Sequence, residues 1–169
     1  MTLKRAVFLL GFVLLLAVAP IAYQIDRAAQ SLPQMDGEIQ LPGLREPATI
    51  RFDARGIAEI QAASRLDAYR LLGFLHARDR LFQMDLLRRR MTGRLAEVLG
   101  QPAAAADRRQ RLYGFDRVAL QAVARLPAHQ RAVLDAYTAG VNAVIDTARE
   151  FPPEFRLLHY RRARGAPAD

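Results

Sequence analysis

The feature that most restricts this chain is the stretch from Ala6 to Tyr23, "AVFLLGFVLLLAVAPIAY", which carries no charged residue and follows directly on Lys4 and Arg5. About 18 to 20 apolar residues suffice to cross a bilayer as a helix, and a basic leading side keeps the N-terminus in the cytoplasm. The stretch therefore reads as an uncleaved membrane anchor or an export signal. Ala17 and Ala19 supply small residues for a cut, but Pro20 would follow the scissile bond, which favours the anchor. Everything after residue 25 is then placed outside the cytoplasm, anchored to a bacterial inner membrane and facing the periplasm, or free in the periplasm if the segment is removed.

That placement changes how the charge is read. Lysine and arginine total 25 against 17 acidic residues, a net charge of +8, and Lys4 is the only lysine. A basic chain invites a nucleic-acid partner only when the charge is gathered on one face. In "GFLHARDRLFQMDLLRRR", residues 73 to 90, a helical advance of about 100° per residue from Arg80 sends Arg88, Arg89 and Arg90 to about 80°, 180° and 280°. They form no stripe, so no nucleic-acid partner is expected. Met84, Leu87 and Met91 share one sector and Phe82 and Leu86 another, which describes a helix covered on more than one side. Asp85 and Arg89 stand at i,i+4 spacing for an ion pair, and the cations at 88 to 90 oppose the dipole at the helix C-terminus.

Residues 26 to 47 hold Pro33, Gly37, Pro42, Gly43 and Pro47, which allow neither a long helix nor a central strand, so they read as a tether. "ATIRFDARGIAEIQA" (48 to 62) alternates at Ile50 and Phe52 and again at Ala58, Ile60 and Ala62 around a turn-forming "DARG"; this predicts a β-hairpin. Helical periodicity follows, with Ser64 as N-cap and Asp67 as its capping-box partner, and with Leu66, Tyr69, Leu72 and Leu75 as the apolar face. A bend is expected between His76 and Asp79, then a second helix to Met91, a boundary at Thr92-Gly93, and a short helix in "RLAEVLG" closed by Gly100. Residues 101 to 107 read as a connection, 113 to 125 as a helix, and a last helix starts at Leu126-Pro127 with Leu134, Tyr137, Val141, Val144 and Ala148 inward. The paired prolines of "EFPPEF" end it. The fold class is mainly α with a small β-hairpin.

Candidate chemistry within the chain is sparse. There is no cysteine, which removes disulfides and thiolate nucleophiles. The serines are Ser31, in the tether, and Ser64, the cap. Thr2 would lead the chain if Met1 were removed, but it would lie on the cytoplasmic side of an anchor. His76, His129 and His159 lack metal-ligand spacing. Asp79 and Asp85, six residues apart, diverge by about 240° on a helix and form no local acid–base pair. Tyr69 and Tyr137 read as core, and "DRRQR" at 107 to 111 as solvated surface. No catalytic, cofactor-binding or metal-binding residue is assigned.

The segment "GFLHARDRLFQMDLLRRRMTGRLAEVLG" (73 to 100) resembles the penicillin acylase (penicillin amidase) family of N-terminal-nucleophile amide hydrolases, near the start of the α subunit. "FDARGI", "DAYRLLG", "LDAYTAGVNAVI" and "FPPEFRLL" extend the similarity over residues 44 to 169. Departures are Ala58 and Glu59 where Pro-His is common, Arg78 where glutamine is common, and Gly165 where a tryptophan is usual. The resemblance implies the N-terminal portion of an αββα hydrolase (α+β), with residues 48 to 169 a partial α-subunit domain. Its partners would be the rest of the α subunit and the β subunit of the same precursor, with the membrane contacted through residues 6 to 23. In such enzymes a free α-amine, with a pKa of roughly 7.7 to 8.0, takes the proton from the hydroxyl of its own serine as that attacks an amide carbonyl. The resemblance places that nucleophile, the acyl pocket and the ligands of a possible calcium ion beyond Asp169. The chain alone is then expected to be inactive and to hold no cofactor; the other reading is a non-catalytic anchored helical remnant or interaction module.

Overall fold

The computed structural model describes the backbone of residues 3–32, 34–148, 150–160 and 165, and side chains from Gly11 onward. The apolar run lies in helix α1, Leu3–Gln30, which passes Tyr23 and continues seven residues further. It is the one helix among the described residues long and apolar enough to cross a membrane, over Gly11–Ala29, a test that a signal sequence also meets. Arg27 in its last turn reaches Glu150 at 2.9 Å.

Among the described residues from 31 to 48 no helix or strand forms. The segment is nevertheless held: Arg45 N–H donates to Asp67, Arg70 donates to the Pro42 carbonyl, and Gly43, at φ 82°, lies so close to the Arg70 guanidinium that a Cβ would crowd it. The hairpin then forms as its alternation requires, β1 (Thr49–Phe52) pairing antiparallel with β2 (Ala58–Gln61), with Ile50 opposite Ile60 and Phe52 opposite Ala58. Asp53 organises the turn, accepting from the Arg55 and Ile57 amides at 2.8 Å each.

Helix α2, Arg65–Thr92, is one element with a kink. Its backbone leaves helical values at Arg80, φ −138° and ψ 25°, one residue beyond the bend expected from the sequence. Ser64 caps it by accepting from Asp67 N–H, and Gly93 ends it in the left-handed conformation that glycine adopts at least cost.

The faces of α2 differ from the sequence reading. Ala77, Leu81, Asp85 and Arg89 form the buried row at i,i+4 spacing, while Leu87 and Met91 are exposed. In the first half Leu71, Phe74 and Leu75 are buried, and Tyr69, read as core, is exposed. Phe82 and Met84 also pack against the core, as a helix covered on more than one side requires, but hydrophobicity alone does not mark the most buried row because two of its residues are charged.

Short elements follow: α3 (Ala96–Leu99), a 3₁₀ turn (Gln101–Ala103), α4 (Ala104–Tyr113) and α5 (Phe115–Ala124). The "connection" of 101 to 107 is therefore mostly helical, and the helix expected from 113 to 125 is the second of two, separated at Gly114 with φ 63°. Alanines at 103 to 106 carry high helix propensity, which the reading of a loop ignored. Of "DRRQR", Arg108, Arg109 and Arg111 are exposed and Asp107 is buried.

Helix α6, Ala128–Thr147, packs along α2. Val141 is buried and Tyr137 and Val144 close over it, as their spacing predicts. Two glycines bring the helices together: a Cβ on Gly73 would overlap the Tyr137 carbonyl, and one on Gly140 the Arg70 carbonyl. Helix α6 ends at Thr147, where Ala148 turns extended, before the paired prolines expected to end it; those prolines instead begin α7, Pro153–Leu157, since proline suits the first helical position. Its Phe155, 2% exposed, joins Ala77, Leu81 and Val141 in the core and meets the rings of Phe82, Phe151 and Tyr160 at 5.6, 5.5 and 5.0 Å.

Candidate functional site

Three polar clusters and a cleft lie around α2 and α6. At the start of α2 the Ser64 hydroxyl donates to Asp67 Oδ2 at 2.7 Å while accepting from Asp67 N–H at 3.1 Å. Asp67 is buried, and the Ser64 hydroxyl and the Arg45 amide hold its carboxyl below the usual range against the opposing effect of burial. A serine that donates to an ionised carboxylate and has no histidine or amine beside it is a cap, not an activated nucleophile.

At the end of α2, Asp85 is fully buried and receives Arg88 at 3.0 Å and Arg89 at 2.8 Å. Arg89 extends further to Glu97 of α3 at 2.6 Å, with Arg94 on the other oxygen at 2.8 Å, and its guanidinium lies 5.0 Å from the centre of the Tyr160 ring. Burial disfavours the charge on Arg89, but the hydrogen bonds it donates to Asp85 and Glu97 and their negative charges outweigh it and raise its pKa above the ordinary value; Glu97 is lowered, chiefly by Arg94. The i,i+4 pair read from sequence is thus one edge of a network joining α2, α3 and the chain after α7. Nearby, Asp107 of α4 accepts from the Leu95 and Ala96 amides at 3.0 and 2.7 Å, capping α3 from twelve residues away.

On α6, Asn142 is buried and makes two bonds to a single residue. Nδ2 donates to the Gly165 carbonyl at 3.0 Å and Oδ1 accepts from the Gly165 amide at 2.8 Å. Tyr137 Oη lies 2.9 Å from His76 Nδ1, and burial raises the phenol's pKa.

A cleft of about 610 Å³ opens between residues 34 to 41, β1 and α2. Leu71 and Phe74 floor it, and Arg78, stacked 4.8 Å from the Phe52 ring centre and paired with Asp79, closes one side. No serine, histidine or free amine is among its lining residues, and Thr49 of β1 supplies its hydroxyl without a histidine or amine in that lining to activate it.

The remaining sequence candidates are scattered. Ser31 donates to the Ala28 carbonyl at the end of α1, His129 is exposed, and His159 is exposed at φ 54° with Nδ1 2.7 Å from the Arg156 carbonyl. Thr2 lies outside the described residues. Asp79 is exposed and engaged by Arg78, apart from buried Asp85. No group of three or more histidines and carboxylates among the described residues is placed to hold a metal ion.

Sequence reasoning missed Asp107, Asn142 and the Arg45–Asp67 contact. A lone amide inside the apolar run "AGVNAVI" was a usable signal for Asn142, because a buried amide must find partners. Asp107 gave none, since its partners lie in another helix.

A hairpin thus leads into a kinked helix, which a second long helix crosses closely and a short proline-initiated one closes. The chain is similar in fold to a thermostable penicillin G acylase from Alcaligenes faecalis, with a TM-score of 0.64 and 25% identity over 72% of this chain and 67% of that one. The penicillin amidase family model matches residues 47–169, and the chain belongs to that family. It is 44% identical over 139 residues to the penicillin acylase 2 proenzyme of Pseudomonas sp. (strain SE83), covering 81% of this chain and 18% of that protein. It is also 36% identical over 146 residues to the acyl-homoserine lactone acylase QuiP of Pseudomonas aeruginosa, covering 85% and 17%. The chain thus spans less than a fifth of the length of these relatives.

Proposed function

We propose that this chain is the N-terminal portion of an acylase precursor that hydrolyses linear N-acyl amides, such as a β-lactam side chain or an acyl-homoserine lactone. The observation that carries this reading is the 44% identity to a penicillin acylase proenzyme across four-fifths of the chain. The polar clusters described above support it: each is a cap, clamp or strut, the equipment of a scaffold that presents a site rather than of the site itself. In this reading the nucleophilic serine, the oxyanion donors and the acyl pocket belong to sequence following Asp169, and the chain alone is inactive. Any calcium ion is held there as well.

Residues 1 to 25 anchor the protein to the inner membrane or direct its export, 26 to 47 connect, and 48 to 169 form the partial α-subunit domain on the periplasmic side. The partners are the rest of the α subunit and the β subunit. Exposed Leu112, Val118 and Leu120 on α4 and α5 supply apolar surface suited to such a partner.

The test compares the isolated chain of 169 residues with the complete product of its gene on a chromogenic acyl amide. Hydrolysis by the complete product and none by the isolated chain is the expected result. An inert complete product would leave the non-catalytic remnant or interaction module, and turnover by the isolated chain would refute the assignment of the nucleophile.

A further inference from the structure

Arg27 belongs both to the helix that is apolar enough to cross a membrane and to the wall of a pocket on the folded domain. The pocket measures about 490 Å³ and is lined by Arg27 from the last turn of α1, by Glu150 and Phe151 before α7, and by Arg156, His159 and Tyr160 in and after α7. The stretch able to span a bilayer ends at Ala29, two residues beyond Arg27. Lipid headgroups begin where such a stretch ends, so Arg27 sets the pocket at their level.

The pocket is rich in cations and short of acceptors. Arg27 pairs with Glu150 through Nη1, whereas Arg156 has no carboxylate partner among the described residues. Nε of Arg27 and Nε of Arg156 are both buried without an acceptor among those residues, although buried donors are ordinarily matched. Two arginines against Glu150 leave the lining with an excess of positive charge, and Glu154 of α7 is not part of it. In sequence Arg161, Arg162 and Arg164 follow at once, so residues 156 to 164 hold four arginines, a histidine and no acid.

His159 stands at this pocket in a backbone conformation that glycine would adopt more easily. It is the one non-glycine residue with positive φ among the described residues, at 54°. Its amide returns to the Arg156 carbonyl and that of Tyr160 to the Phe155 carbonyl, the pair of bonds that closes a helix at a left-handed residue. A stop alone is served better by glycine; the imidazole adds a polar group to the pocket. The Arg156 carbonyl, 2.7 Å away, can only accept, so Nδ1 carries the proton and Nε2 is left for a ligand.

We propose that this pocket binds a phosphate group, with the Arg156 guanidinium as its principal donor and Arg27 and His159 beside it. Arginine matches phosphate oxygens two at a time, and phosphate brings the acceptors that the lining lacks. Basic residues beside a membrane helix hold anionic headgroups, which makes a phospholipid the first source of that phosphate. This source rests on the proposed anchoring by residues 1 to 25; free phosphate is the other, and a cleaved N-terminus leaves only that one.

The test uses the native gene product purified in detergent, its N-terminal residue established by mass. Inorganic phosphate and dihexanoyl phosphatidylglycerol, a lipid short enough to be added as a monomer, are titrated separately by calorimetry at constant ionic strength. Saturable binding of at least one probe is expected, weakened at least about fivefold in Arg156→Gln. His159→Gly is expected to weaken it by about two- to fivefold, with little change in thermal midpoint because glycine suits that backbone.

Binding of the short lipid to a protein that keeps residues 1 to 25 identifies a headgroup site. Binding of phosphate to a protein cleaved in that segment identifies a free-phosphate site and removes the anchoring without removing the pocket's role. Absence of saturable binding of either probe to the unmodified product overturns the proposal, and no variant has to fold for that result. Unchanged affinity in folded Arg156→Gln and His159→Gly overturns it as well, since the phosphate then lies elsewhere.

Discussion

Gly140 of α6 rests against the carbonyl oxygen of Arg70 in α2 so closely that a Cβ carbon has no room between them. Gly73 meets the Tyr137 carbonyl in the same way one turn along the crossing. The helix pair that carries the core is therefore set by two missing side chains. Gly140→Ala and Gly73→Ala should each destabilise the chain by about 2 to 3 kcal/mol, near the upper end for overpacking because the obstructing atoms are backbone. Urea midpoints measure this; an unchanged midpoint for both would mean that the helices lie further apart.

The network of Asp85 and Arg89 predicts a non-additive pair. Arg89→Met leaves the fully buried Asp85 with only part of its ion pairing, and should cost about 3 kcal/mol, as breaking buried pairs does. Asp85→Leu should cost a similar amount by removing one of the two carboxylates that the buried Arg89 pairs with. The double variant should cost less than the two added together, a coupling read directly from a double-mutant cycle.

Asp107→Ala removes the acceptor for two amides at the start of α3. A loss of about 1 to 2 kcal/mol is expected, the size of an N-cap deletion. Faster amide exchange should be confined to Leu95 and Ala96 and their turn, which distinguishes a lost cap from general loosening.

Acid should unfold the chain partly through Asp67 and Glu97. Both carboxyls lie below their ordinary pKa in the folded state, Asp67 chiefly through the Ser64 hydroxyl and Glu97 chiefly through Arg94. The unfolded chain takes up their protons first, at about 3.9 for aspartate and 4.3 for glutamate. Their contribution is present above those values and is lost as pH falls through them towards the depressed folded pKa values. Urea midpoints followed from pH 6 to pH 2 should decline below about pH 5, and Asp67→Asn should flatten part of that decline.

What was legible in the sequence was whatever local chemistry determines. The hairpin, the Ser64 cap, the Gly93 stop and the inward Tyr137, Val141 and Val144 of α6 follow from alternation, capping and helical spacing, and the structure has them where they were expected, whereas Ala148 lies just past the end of α6. The inward face of α2 was not legible, because Asp85 and Arg89 are buried by partners in α3 and after α7 while Leu87 and Met91 face outward. Helix α4 was missed by reading a run of alanines beside a proline as a loop. Of the polar clusters only the pairs within one turn could be seen; Asp107 with α3 and Asn142 with Gly165 depend on how distant segments meet.

The central claim is that this chain is the opening part of a larger acylase. The most direct measurement is to read the source gene past the codon for Asp169 and to weigh the native protein. The account predicts several hundred further codons in frame, including a small residue followed by a serine at the start of a strand, and a native mass well above 18.9 kDa. A stop codon directly after Asp169, with a native mass near 18.9 kDa, would contradict it and leave a helical remnant of the family without its site.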